Sequence, residues 1–164
     1  MSELKAPPIS LLDVYEGSEV LPLYSTTVTV KGGQAGHGRA SGHAESVDGN
    51  LSVDLRLPVE MGGAGGGTNP EQLFAAGYAA CFHGALTLAA AKAKTPARGA
   101  EISVSVTFGR DPGDGLFLLT ADVAVTIPNM DPATAEALVR ETERLCPYAK
   151  MTREGIESTV RLVS

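Results

Sequence analysis

Positive charge is in short supply in this chain: 13 Lys and Arg stand against 19 Asp and Glu in 164 residues, for a net charge of −6. That balance lacks the basic footprint of a general nucleic-acid binder. Cysteine is scarcer still. Cys81 and Cys146 are too few for a disulfide-framework mini-protein, and a globule of this length needs none. Neither belongs to a Cys-x-x-Cys pair, which excludes a zinc ribbon or a thioredoxin-type motif. Met1 to Glu19 contains no apolar stretch of the kind a secretory signal requires, so the expected location is the cytoplasm. The run Gly62-Gly63-Ala64-Gly65-Gly66-Gly67 reads as a flexible loop and not as a phosphate loop, because no Gly-Lys-Ser/Thr follows it. Only one long apolar run exists, Leu73 to Ala91, bounded by Glu71 and Lys92. Its Ala and Gly content, with Tyr78, His83 and Thr87 inside it, describes a small-residue helix buried at a tight interface. A bilayer span would need about 20 strongly apolar residues, so no membrane partner is expected.

Hydrophobic residues make up 43% of the chain and charged residues 20%, enough apolar material for a core and too much for a disordered chain. Residues 1–20, with Pro7-Pro8 and an acidic stretch, read as an N-terminal extension, and residues 21–164 as a single domain. The β-branched run from Tyr24 to Val30 suits a strand. A Gly- and His-rich stretch continues from Gly36 to Glu45, and Asp48-Gly49 then offers hairpin-turn chemistry. Leu51, Val53, Leu55 and Leu57 alternate with polar residues, as a half-buried strand does. Asn69, Pro70 and Gln72 then mark a helix start by cap, first-turn proline and capping-box position. Ile102 to Phe108 and Leu116 to Ile127 form the next two expected strands, joined at Asp114-Gly115. Asp131-Pro132 opens a second helix, which should end at Cys146 because Pro147 pushes its predecessor out of helical geometry. A last strand is expected from Ile156 to Val163. The order βββ-α-ββ-α-β is that of an α+β fold.

The two cysteines lie on different predicted helices. Buried, inert thiols are the commoner reading of such residues. Their positions also suit a two-cysteine peroxidase, in which one thiolate attacks and the other resolves through a disulfide. Cys146, freed by its proline, can move its sulfur through small local changes. Cys81, mid-helix and flanked by apolar residues, needs a cation to become a nucleophile.

The segment Thr68-Asn69-Pro70-Glu71-Gln72-Leu73-Phe74-Ala75-Ala76-Gly77-Tyr78-Ala79-Ala80-Cys81-Phe82 resembles the peroxidatic block of the organic hydroperoxide resistance proteins, within the OsmC/Ohr superfamily. Cys146-Pro147-Tyr148 with Thr152-Arg153 resembles the family's second block, and Leu23-Tyr24, Asp48-Gly49, Pro58 and Met61-Gly62-Gly63 also fit. The resemblance runs from about Leu23 to the C-terminus. It implies an OsmC/Ohr-like fold in an intertwined homodimer, and thiol-dependent reduction of organic and fatty-acid hydroperoxides to alcohols without cofactor or metal. Cys81 would be the peroxidatic residue, Cys146 the resolving one, and Glu71 the carboxylate orienting an activating arginine. A lipoylated protein would supply the reducing dithiol. A peroxidase of the osmotically inducible branch, with a broader peroxide range, and a non-catalytic dimer binding apolar ligands are the alternatives.

The activating arginine has two competing registers. Gly32-Gly33-Gln34 keeps the family's distance from the first strand but places an amide where the cation belongs. Gly38-Arg39, followed by Gly42-His43, Ser46 and Asp48-Gly49, keeps the pattern after an insertion. Arg39 is preferred, because a neutral amide cannot stabilise a thiolate in an apolar pocket. Glu71 and Cys81 are ten residues apart, about 15 Å along a straight helix. A helix break near Gly77, a spanning Arg39, or a site shared by two subunits would reconcile them. His37 and His43 read as loop residues, and His83 diverges from Cys81 on its helix, so no metal site is expected. Tyr78 and Phe82 read as core packing.

Overall fold

The computed structural model describes residues 11, 13–33 and 41–163, which gather into two compact units, one up to Phe74 and one from Ala75. The first unit is a three-stranded antiparallel meander of β1 (Val28–Lys31), β2 (Gly42–Ser46) and β3 (Ser52–Leu55). Val30 pairs with Ala44, which in turn pairs with Val53. On β2, Ala44 and Ser46 are buried while His43 and Glu45 are exposed, the two-residue alternation of a sheet with one covered face. Asp48 and Gly49 make the β2–β3 turn, with Gly49 in the left-handed region at φ 72°. The expected first strand begins later than its β-branched run: Tyr24 to Thr27 lies outside any strand, and Tyr24 is exposed. His43 is a strand residue, not a loop one. Its ring is held by Asp54 at 2.8 Å and Ser52 at 2.9 Å across the β2–β3 pair.

After a single turn of 3₁₀ helix at Val59–Met61, the glycine run is pinned back on the end of β3. The amides of Gly63 and Gly65 donate to the carbonyls of Pro58 and Leu57, and Thr68 exchanges backbone hydrogen bonds with Asp54 and Arg56. A Cβ on Gly63 would stand 2.1 Å from the Leu57 carbonyl oxygen, so close backbone approach demands glycine there. This anchoring delivers Asn69, whose side chain accepts from the Gln72 amide at 2.9 Å and caps helix α1 (Pro70–Ala93). Asn69 is buried, so its replacement cannot be repaired by water. Asn69→Ala should cost about 1 kcal/mol of stability in urea unfolding, the ordinary worth of such a cap.

α1 runs through 24 residues, and its many alanines are the best helix formers available. Tyr78, Phe82, Ala85, Leu86, Ala89 and Ala90 are buried, whereas Ala76, Ala80, His83, Gly84, Thr87 and Ala91 form an exposed small-residue face. By length and composition α1 could also cross a bilayer. Its buried stripe is that of a core helix. In the second unit, Leu86 and Ala89 meet Leu138 of α2 (Pro132–Leu145). Around them pack Ile102 of β4 (Glu101–Arg110) and Val125 of β5 (Phe117–Thr126), with Ile127 and Met130. β4 and β5 form a ten-residue antiparallel ladder, from Glu101–Thr126 to Arg110–Phe117. Asp131 caps α2 by accepting from the Thr134 amide at 3.0 Å.

Two elements differ from expectation. Pro147 opens a further helix, α3 (Pro147–Glu154), so the order is βββ-α-ββ-α-α. Ile156 to Val163 is not a strand: the segment has no ladder partner among the described residues, and Val160 and Leu162 are 98% and 97% exposed. Its alternating pattern specifies two faces, but a strand forms only where a neighbour supplies hydrogen bonds.

Candidate active site

Cys81 lies in the middle of α1 and is partly exposed, whereas Cys146 is fully buried. Cys146 is the single extended residue, at φ −73° and ψ 117°, between α2 and α3. Its amide closes α2 on the Thr142 carbonyl and its carbonyl accepts from Lys150, so both helices hold it. The result brings the Cys146 and Cys81 sulfurs to 3.5 Å, with both thiols free. A disulfide needs about 2.05 Å between sulfurs, so a movement of about 1.5 Å separates the reduced pair from a bond.

Burial pushes the Cys81 thiol above the ordinary cysteine range. The Tyr148 amide, at the start of α3, donates to the sulfur and works the other way, while the neighbouring Cys146 adds to the rise. Among the described residues no lysine or arginine offsets that burial. The Tyr148 ring reaches back over α1. It lies 5.8 Å from the Tyr78 ring, and its hydroxyl is so close to Gly77 that a Cβ there would stand 2.9 Å away. Tyr78 in turn shares a 3.5 Å hydroxyl contact with Thr152. Tyr78 and Phe82 are buried, with ring centres 6.4 Å apart, forming an apolar wall near Cys81.

Glu71 stands half-buried in the first turn of α1, and α1 passes Gly77 without a break, which removes a broken helix as the route from Glu71 to Cys81. Arg39, Gln34 and His37 lie outside the described residues. Arg153 is bound elsewhere: its guanidinium meets the Glu143 carboxylate at 3.3 Å and the Glu143 carbonyl at 3.4 Å. His83 opens on a groove of about 650 Å³ along the C-terminal half of α1, whose lining includes neither cysteine. No cluster of metal-ligating side chains occurs among the described residues. What sequence reasoning missed is α3, which supplies the Tyr148 amide. The available signal was Pro147 itself, since proline is favoured at the first position of a helix.

An α+β scaffold sets a thiol in mid-helix against a second thiol at the joint of two helices, and comparison with known proteins gives the family. The family model described as OsmC-like protein matches residues 62–161. An organic hydroperoxide resistance protein of Xanthomonas axonopodis pv. citri is 43% identical over 85% of this chain and 94% of its own. Organic hydroperoxide resistance protein-like 2 of Staphylococcus epidermidis is 41% identical over 82% and 92%. The crystal structure of the organic hydroperoxide resistance protein OhrB of Bacillus subtilis superposes with a TM-score of 0.70 at 38% identity, covering 81% of this chain and 93% of that one. The chain belongs to the OsmC-like family, within its group of organic hydroperoxide resistance proteins.

Proposed function

We propose that this chain is a cofactor-independent thiol peroxidase that reduces organic hydroperoxides, fatty-acid hydroperoxides among them, to alcohols. The observation that carries the reading is the pair of free thiols 3.5 Å apart, one partly exposed and one buried. The Cys81 thiolate attacks the terminal peroxide oxygen, the O–O bond breaks, and the alkoxide leaves and takes up a proton as alcohol. Cys81 is left as a sulfenic acid. The Cys146 sulfur displaces its oxygen as water and forms the Cys81–Cys146 disulfide. A dithiol, carried by a lipoylated protein, returns both residues to thiols and is itself oxidised to a disulfide. Arg39 supplies the positive charge that burial of Cys81 demands, and Glu71 orients it. The cytoplasm, where free thiols persist, suits this cycle.

Cumene hydroperoxide added to the reduced protein tests the reading. Both thiols of each chain should disappear as one equivalent of cumyl alcohol forms. Survival of the thiols would leave the chain as a binder of apolar ligands.

The working form we propose is an intertwined homodimer without nucleic-acid or membrane partners. The exposed small-residue face of α1 has little bulk of its own and suits close cover by a second chain, and exposed Leu23, Tyr24, Val160 and Leu162 add apolar surface. Sedimentation at micromolar concentration should show a dimer, and a fully active, monodisperse monomer would contradict this assembly.

A further inference from the structure

We propose that Arg153 is a positioning residue for the resolving step, and so decides how much oxidised Cys81 becomes disulfide and how much is over-oxidised. The inference rests on the peroxidase reading and goes beyond it in assigning Arg153 a task. The last four carbonyls of a helix lack partners within it. At the end of α2 one of these, that of Glu143, accepts from the Arg153 guanidinium at 3.4 Å, and the Glu143 carboxylate meets the same nitrogen at 3.3 Å. Arg153 lies in the last turn of α3. One side chain thus joins the end of α2 to the end of α3, closing a loop whose only extended residue is Cys146. A cation there also opposes the negative end of α2.

The loop fixes Cys146 from both sides. Its neighbour Thr152 ties α3 to α1 through Tyr78, but only Arg153 ties α3 to α2 by a charged group among the described residues. With that tie removed, α3 can swing about the Cys146 joint and the 3.5 Å separation of the sulfurs widens. Attack of Cys146 on the sulfenic acid then slows. A second peroxide, in excess, oxidises the sulfenic acid to sulfinic acid and leaves as alcohol. Arg153 touches neither the peroxide nor Cys81, so the first oxidation keeps its attacking group, and the swing of α3 reaches Cys81 only through the Tyr148 amide that donates to its sulfur.

The test uses the full chain as Arg153→Ala, Arg153→Lys and Glu143→Gln, each exposed to graded cumene hydroperoxide and read by intact mass for disulfide against sulfinic acid. Arg153→Ala should raise the sulfinic share about threefold, the modest size appropriate to an exposed ion pair. Arg153→Lys, which keeps the charge, should restore most of the parental partition, and Glu143→Gln should fall between. Alkylation of Cys81 should begin at slightly higher pH in Arg153→Ala, as the Tyr148 amide is drawn from the sulfur, and at the parental pH in Arg153→Lys. An unchanged partition in Arg153→Ala overturns the inference, as does a loss of first-turnover rate of about tenfold or more, which would make Arg153 an activating cation. If the parental protein forms neither sulfenic acid nor disulfide, the peroxidase reading itself has failed.

Discussion

Cys81→Ser should bring peroxide consumption down to the uncatalysed background, because a serine hydroxyl stays protonated in the same half-buried position and cannot displace an alkoxide. Cys146→Ser should behave differently. It leaves the attacking sulfur and the Tyr148 amide in place, so each chain should still reduce one peroxide rapidly. With no second sulfur 3.5 Å away, the sulfenic acid persists and proceeds to sulfinic acid under excess peroxide. Stopped-flow consumption and intact mass on the two variants distinguish these roles. Cycling of Cys146→Ser at the parental rate with a dithiol reductant would remove Cys146 from the resolving step.

Arg39→Ala should slow peroxide reduction about a hundredfold. Burial holds Cys81 in its thiol form to higher pH than an ordinary cysteine, and the described residues offer only the Tyr148 amide against it. A cation within a few ångströms moves such a titration by about 1 to 3 pH units, a factor of about 10 to 1000 in thiolate at neutral pH. The sign is fixed by the charge. Removing the cation raises the thiol's pKa, so alkylation of Cys81 by iodoacetamide should begin at higher pH in Arg39→Ala. Gln34→Ala removes no charge and should leave both rate and profile near parental. Glu71→Ala should fall between, since the guanidinium keeps its charge and loses its orientation. A parental profile in Arg39→Ala would sink the assignment.

The capped helix starts were legible because their signals are local. Asn69 with Pro70, and Asp131 with Pro132, each place a side-chain acceptor and a fixed φ where a helix begins, and both caps are made. The β4–β5 ladder was legible from alternation around Asp114-Gly115. α3 was not, because Pro147 ends one helix and begins another, and a proline cannot state which of these it does. The segment from Ile156 failed in the opposite sense: alternation announces two faces, but pairing depends on a neighbour that sequence position does not name. For the site, helical periodicity placed each cysteine on its own helix, 65 residues apart, without saying that the helices meet. The contribution of the Tyr148 amide could not be read from a side-chain pattern at all, since every residue but proline carries that donor.

The single extended residue between α2 and α3 bears on how a reductant recognises its target. Because the sulfurs already lie 3.5 Å apart, the proposed disulfide would need a local displacement of about 1.5 Å and no unwinding of either helix, so the outer contour would change little on oxidation. A partner searching by shape would meet nearly the same surface on spent and fresh molecules, and would waste encounters on chains with nothing to reduce. In the proposed cycle, discrimination would fall to the chemistry of exchange, in which a dithiol reaches partly exposed Cys81 and finds a bond there or does not. On that reading the protein would turn over by sampling, and its recycling rate should follow dithiol concentration and the leaving ability of the attacked sulfur more closely than the affinity of any docking surface.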